Sequence, residues 1–303
     1  MSLPLTSPLP TTAAAGRQPG RARGVVADVA VGGALFLGTL TGVVFLLALV
    51  VTVVDQGWDR LAADPIEFLG SYVSRFPDDA GIKAALVGTM WLAVLVATIT
   101  FPIGIGAALY LEELAPRSRI TRWIETNIAN LAGVPSIVYG LLGLGVFVRF
   151  LGMGPSLLAG ALTLSIMSLP VVIVASREAI KTVPSGIREG ALAVGATPMQ
   201  VTARQVVPAA LPGTVTGAVL ALARAIGETA PLLVVGAAVS IFATPIGVND
   251  RFSALPIVIF NWTSRPQAAF AEAAAAASIV LLALLAAIAA LAMFVRARTS
   301  TRW

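Results

Sequence analysis

Cysteine and histidine are both absent from the 303 residues. Their absence excludes disulfides, thiolate nucleophiles, histidine metal sites and a histidine pH switch, and it leaves the redox compartment unreadable. Charge is scarce as well. Charged residues make up 12% of the chain against 57% hydrophobic ones, and mean hydropathy is +0.91. A soluble domain could not hide so much apolar surface, so lipid is the solvent for most of this chain. No Gly-x4-Gly-Lys-Ser/Thr nucleotide loop and no Gly-x-Ser-x-Gly nucleophile elbow occurs. An intramembrane metalloprotease would need His ligands that are missing, and a serine hydrolase would need a Ser–base pair that is not visible.

What is present is a series of apolar runs. A span needs about 20 apolar residues at a rise of 1.5 Å each. Six segments qualify, at 29–54, 84–110, 127–150, 156–176, 212–240 and 273–295. An all-α membrane protein with six transmembrane helices is expected. Pro102, Pro135, Pro170 and Pro231 fall inside these runs. Such prolines are tolerated where neighbouring helices re-satisfy the freed carbonyls, so the spans should be kinked and bundled. Residues 1–28 read as a flexible basic cytoplasmic tail and 29–303 as the membrane domain. The first run is far longer than a secretory h-region and is expected to remain as an uncleaved span. No internal repeat is visible, which counts against an inverted-repeat secondary carrier.

The formal net charge of +5 sits in tails and short loops. Arg117, Arg119, Arg122, Arg177, Lys181, Arg188 and Arg204 fall on the side shared by both termini, whereas the first opposite loop carries Asp55, Asp59, Asp64, Glu67, Asp78 and Asp79. The positive-inside rule then puts both termini in the cytoplasm. The apolar stretch 255–262 is too short to span and reads as a lip or re-entrant element at the outer face. Glu112, Glu113 and Arg117 read as a solvated helix end. Trp91, Trp123 and Tyr139 read as interfacial or packing aromatics.

The longest inner loop covers 177–211. Pro184-Ser185 should open a helix with an acidic residue in its first turn, Gly195 should stop it, and Thr197 should cap a second helix whose first residue is Pro198. By spacing alone this could equally be an ordinary helical hairpin on the bilayer surface. Glu189-Gly190-Ala191, Gly195 and Val207-Pro208 resemble the "EAA" loop of ABC importer permeases, EAA-x3-G-x9-I-x-LP. Gly190, Gln205 and Val207 depart from that pattern, whereas Glu189, Ala191, Gly195 and Pro208 fit it. The stretch from Ala223 through Arg224, Glu228 and Thr229 to Leu233 resembles the signature of phosphate-specific permeases, and its Ala230-Pro231-Leu232 ending is closer to the A-type (PstA-like) subunit. The stretch 133–140 is similar to the same subunit. The likeness covers roughly residues 82–295.

That resemblance implies the fold of a type I ABC importer transmembrane domain in a bacterial inner membrane. The loop would dock on a separate ATPase through Glu189, Gly190, Ala191, Gly195 and Pro208. It implies no catalytic residue and no cofactor held by this chain, with ATP and Mg used by the partner. It also implies a C-type permease partner in a heterodimer, two ATPase subunits and an extracytoplasmic phosphate-binding protein. Arg224, Glu228 and Thr229 become candidates for the substrate pathway. An isolated Arg at the centre of a span costs about 2.5–3.5 kcal/mol on translocon scales, so its presence needs a reason. Arg224 and Glu228, at i and i+4, could simply neutralise each other and pin helix packing, or Arg224 could face a pathway and meet an anion. Permeases for sulfate or molybdate, and a structural or signalling membrane subunit, are the alternatives.

Overall fold

Apolar runs in lipid must pair their backbone groups internally, and helices do this within a single segment. In the computed structural model, which describes residues 21–237 and 241–299, every regular element is helical. Most of the tail assigned to 1–28 lies outside the described residues, but 21–28 already belong to a helix, α1 (Arg21–Ala63). Residues 21–52 fall in one unit, and their described side chains are almost all exposed and apolar. The packed core belongs to the second unit, from Val53 onward.

That second unit contains α2 (Pro65–Gly70) and α3 (Lys83–Leu109), which continues as a π-helical turn over Tyr110–Leu114. Next come α4 (Arg119–Ala132) and α5 (Ser136–Gly143), the latter extended as a π-helix to Phe150. They are followed by α6 (Leu157–Lys181), α7 (Ser185–Ala193) and α8 (Pro198–Val201). The chain ends with α9 (Val207–Gly227), α10 (Ala230–Val235), α11 (Leu255–Thr263) and α12 (Ala268–Thr299). Five described stretches are long and apolar enough to cross a membrane, and α4 with α5 supply a sixth if the pair counts as one bent span.

Two expected spans are not continuous. The run 127–150 bends by 100° between α4 and α5. The run 212–240 stops at Gly227, passes through extended backbone at Glu228, and restarts at Ala230. Residues 238–240 of that run lie outside the described residues. Pro135 sits at the N-cap of α5 and Pro231 in the first turn of α10, where a missing N–H costs nothing. Pro102 and Pro170 instead lie inside unbroken α3 and α6.

α6 is the central post, with Leu157, Leu164, Val172 and Ile180 buried. Small residues let α9 approach it. A Cβ added to Gly213 would lie 2.9 Å from the Ala179 methyl, and one on Gly217 would lie 2.7 Å from that of Ala175. The Gly-x3-Gly face of α9 thus meets an Ala-x3-Ala face of α6, the close-packing solution favoured where lipid supplies no hydrophobic drive.

Of the two readings of 255–262, a lip or a re-entrant element, the burial of α11 agrees with the second. α11 does not span, but Leu255, Ile257, Val258 and Trp262 are fully buried. Trp262 stacks obliquely between Phe68 and Phe270, with centroids at 6.5 and 6.2 Å. The Leu255 amide donates to Thr89 Oγ1 at 2.9 Å, which fastens the start of α11 to α3.

Candidate functional site

The two helix breaks converge on one cavity of about 290 Å³. Its walls come from residues 131–136 at the α4/α5 break, Tyr139, Met167, Ser168 and Val171 of α6, and Ala221, Arg224, Ala225 and Glu228 at the end of α9. α5 and α10 are in near-backbone contact beside it, because a Cβ on Gly140 would fall 2.8 Å from the Pro231 Cα. Tyr139 Oη bridges the first break by donating to the Leu131 carbonyl at 2.8 Å. α5 starts at this cavity, and a helix start presents unpaired amides and a partial positive charge.

Arg224 lies in the last turn of α9, and its side chain is 66% exposed. Glu228 follows the helix with ψ 124° and is 25% exposed. The expected face-sharing pair is therefore a loose one. Glu228 has left the helix, and Arg224 Nε approaches Glu228 Oε1 at 3.9 Å, too long for a hydrogen bond. Among the described residues the terminal guanidinium nitrogens of Arg224 bond to nothing. Thr229 is half-buried at the N-cap of α10 and makes no side-chain capping bond, and it is not in the cavity wall.

The loop residues lie elsewhere. Glu189 and Gly190 are exposed on α7, and Ala191 is half-buried against the cluster containing Ile180, Val183, Val201 and Val206. Because α7 begins at Ser185, Glu189 lies in its second turn, not its first. Gly195 adopts φ +89°, a left-handed conformation that glycine takes without steric penalty. Thr197 caps α8 with a full capping box: Gln200 N donates to Thr197 Oγ1 at 3.3 Å, and Thr197 N donates to Gln200 Oε1 at 2.9 Å. Pro208 is exposed near the start of α9. Leu192, Val194 and Met199 are also exposed, so the tip of the α7–α8 turn is apolar as well as polar.

Glu112 and Glu113 are not a solvated helix end. Arg177 of α6 donates to Glu112 Oε2 at 3.1 Å and to Glu125 Oε1 of α4 at 2.8 Å. Arg188 of α7 grips Glu113, with Nη2 to Oε1 at 2.7 Å and Nε to both oxygens at 3.1 and 3.2 Å. Its remaining donors reach the carbonyls of Val183 at 2.6 Å and Ile180 at 3.0 Å. Sequence reasoning missed this network, and it missed Ser168 and Met167 in the cavity wall. The clue available was that three carboxylates (Glu112, Glu113 and Glu125) and two arginines (Arg177 and Arg188) cluster where apolar runs end.

Residues 100–300 match the family described as binding-protein-dependent transport system inner membrane component. The chain is 35% identical over 167 residues to the probable ABC transporter permease protein YqgI of Bacillus subtilis (strain 168), covering 55% of this chain and 57% of that protein. It is 37% identical over 190 residues to the phosphate transport system permease protein PstA 1 of Mycobacterium tuberculosis (strain ATCC 25618 / H37Rv), covering 62% and 61%. A phosphate transport system permease protein PstC of Mesorhizobium japonicum is 33% identical over 212 residues, covering 61% and 64%. The chain thus spans less than two thirds of the length of these relatives.

Among solved structures, a chain of a bacterial alginate ABC transporter superposes with a TM-score of 0.61 at 17% identity, covering 93% of this chain and 99% of that one. A chain of the MetNI methionine ABC transporter in inward-facing conformations gives 0.60 at 19%, covering 72% and 97%. The fold is that of the type I ABC importer transmembrane domain. With a continuous family match over residues 100–300 and several apolar helices to carry it, this chain belongs to the binding-protein-dependent transport system inner membrane components, as a multi-pass membrane protein.

Proposed function

We propose that this chain is the A-type permease subunit of an ATP-driven importer of inorganic phosphate. One observation carries the reading: an arginine whose guanidinium makes no hydrogen bond lines a cavity where two broken helices meet inside a membrane bundle. A cation within a membrane bundle and without a committed partner costs free energy unless an anion visits it. The planar fork of Arg224 offers paired donors to a tetrahedral oxyanion, and the start of α5 adds a second positive end. Glu228 accepts from the P–OH groups that phosphate keeps near neutral pH, and it repels fully deprotonated sulfate. The relatives named as phosphate transport permeases agree with this substrate class.

The chain itself does no covalent chemistry. Its α7–α8 turn offers an exposed acidic residue, Glu189, and an apolar tip to a cytoplasmic ATPase that consumes ATP and Mg. A C-type permease supplies the other half of the pathway. Two ATPase copies and an extracytoplasmic phosphate-binding protein complete the assembly, in a bacterial inner membrane. Both termini lie in the cytoplasm, on the side of the arginine-rich loops.

The test is uptake of labelled phosphate into vesicles bearing the purified complex, with sulfate and molybdate as competitors. Phosphate uptake that needs ATP and resists both competitors is expected. ATP-dependent sulfate or molybdate uptake instead would move the assignment to that oxyanion. Gly195→Val should abolish transport while the membrane bundle stays folded, because a β-branched residue at φ +89° must rebuild the turn that presents Glu189. Normal uptake by Gly195→Val would remove the docking role from this turn.

A further inference from the structure

The cavity and the α7–α8 turn share no lining residue, yet one chain of contacts joins them. Arg188, directly before Glu189 on α7, holds Glu113 through three short donor–acceptor contacts, and the Glu113 side chain is only 9% exposed. Glu113 is bonded in sequence to Glu112 on the π-helical turn that ends α3. Single π turns of this kind are frequent at functional sites. Glu112 then pairs with Arg177, and Arg177 pairs with Glu125 on the second turn of α4.

From Glu125, α4 runs alongside α6 to the cavity. Leu131 and Ala132 at its far end line the cavity together with Met167 and Ser168 of α6. The distance from Glu125 to Leu131 is about 9 Å at 1.5 Å per residue, and from Arg177 back to Ser168 it is about 14 Å. The Leu131 carbonyl accepts the Tyr139 hydroxyl hydrogen across the break. A rigid helix therefore connects the ion-pair cluster to the wall that faces Arg224.

Resting on the function proposed above, we infer that Arg177, shared between Glu112 and Glu125, is a positioning residue that transmits displacement of the α7–α8 turn to the α4/α5 break at the cavity. Its fork matters because Nε and Nη2 engage different carboxylates on different elements. A lysine would present its donors from a single nitrogen and lacks that planar fork. α4 has few other anchors of this strength: Thr126 and Asn127 hydrogen-bond only to their own helix.

The experiment uses the complex purified with its own ATPase. Arg177→Gln, Arg177→Lys, Glu112→Gln and Glu125→Gln are compared with wild type. Two readouts are taken: phosphate moved per ATP hydrolysed, and hydrogen exchange of residues 127–135 with and without a non-hydrolysable ATP analogue. Arg177→Gln, Glu112→Gln and Glu125→Gln should retain ATP hydrolysis but move at least about fivefold less phosphate per ATP, the lower edge of typical coupling between sites. The nucleotide-dependent exchange at 127–135 should vanish in all three. Arg177→Lys should lie between these and wild type.

If hydrolysis and uptake fall together in Arg177→Gln, so that phosphate moved per ATP is unchanged, Arg177 is merely structural. Unchanged stoichiometry and unchanged exchange in Glu125→Gln would also overturn the relay. Should the wild-type complex hydrolyse ATP without moving phosphate, the substrate reading fails by itself, while the exchange measurement still decides the relay.

Discussion

Arg224 and Arg188 belong to the same chain and are held in opposite ways. Arg188 spends its guanidinium on a carboxylate and two carbonyls, and its side chain is 24% exposed. Arg224 is 66% exposed and meets its one carboxylate at 3.9 Å. The difference separates two uses of charge. A clamped arginine has no donors left to give, and its geometry fixes the elements around it. An unclamped arginine in a cavity keeps its donors for something that comes and goes. The contrast also bears on the choice left open by the sequence, where Arg224 and Glu228 could be a packing pair. A packing pair would show the short, multiple contacts that Arg188 shows.

The largest effect should come from Arg224→Gln. Phosphate uptake is expected to fall by about a hundredfold or more, the scale of losing a preorganised oxyanion donor. Membrane insertion and ATPase binding should survive, because no described hydrogen bond depends on this side chain. Arg224→Lys should rescue only in part, since the ammonium lacks the fork. The double variant Arg224→Gln with Glu228→Gln decides the comparison. Deleting a structural pair as a unit strands no charge and should cost little. Restored uptake in the double variant would put Arg224 in the same class as Arg188.

The converse test lies at Arg188. Glu113→Ala strands its guanidinium among carbonyls at the root of the α7–α8 turn. Thermal unfolding in detergent should show a loss of about 2 kcal/mol, below the roughly 3–5 kcal/mol of a fully buried pair because Arg188 keeps some access to water. The same deletion at Glu228 should leave stability nearly unchanged. Equal destabilisation at both positions would erase the distinction.

How much of this was legible beforehand follows the range of the physics involved. The Thr197–Pro198 helix start and the Gly195 turn were readable because capping and left-handed glycine act within four residues. The α4/α5 and α9/α10 breaks were visible only as prolines, and proline alone does not separate Pro135 and Pro231 from Pro102 and Pro170. The separating signal is the glycine upstream. Gly133 and Gly227 each precede the proline by a few residues, whereas no glycine lies within the four residues before Pro102 or Pro170. The burial of α11 was not legible because a short apolar run has the same composition at a membrane surface as in a core. The Arg177 and Arg188 pairings span 52 to 75 residues of sequence and could not be seen from local pattern.

Glu228→Gln should be milder than any change at Arg224. Removing the carboxylate takes away an acceptor for P–OH but also a weak competitor for Arg224. Phosphate uptake is expected to drop only a few-fold, on the order of one hydrogen bond to a charged group. Its sharper signature is selectivity, read as stronger inhibition of phosphate uptake by sulfate than in wild type. Unchanged sulfate inhibition would confine Glu228 to charge balance.

The smallest effect tests the comparison at a carboxylate outside the membrane. Asp250 Oδ2 accepts the amides of Gly247 at 2.8 Å and Ile246 at 2.9 Å, while the Asp250 and Val248 carbonyls accept the Leu157 and Leu158 amides at the start of α6. The backbone donors of Gly247 and then Ile246 hold its pKa below the usual carboxylate value. The folded form therefore binds this proton less readily than the unfolded one. Its contribution is complete above the unfolded pKa of about 3.9 and fades as pH falls through the lower folded value. Because the carboxylate is open to solvent, the change should be slight. Comparing wild type with Asp250→Asn, the stability difference should shrink as pH is lowered from about 6 toward about 3, since protonation leaves wild type with no charged acceptor either. Fluorescence-detected unfolding at each pH measures it. A difference that stays constant across that range would mean the turn is held by its backbone alone, and that a held charge and a free one are equivalent at this site.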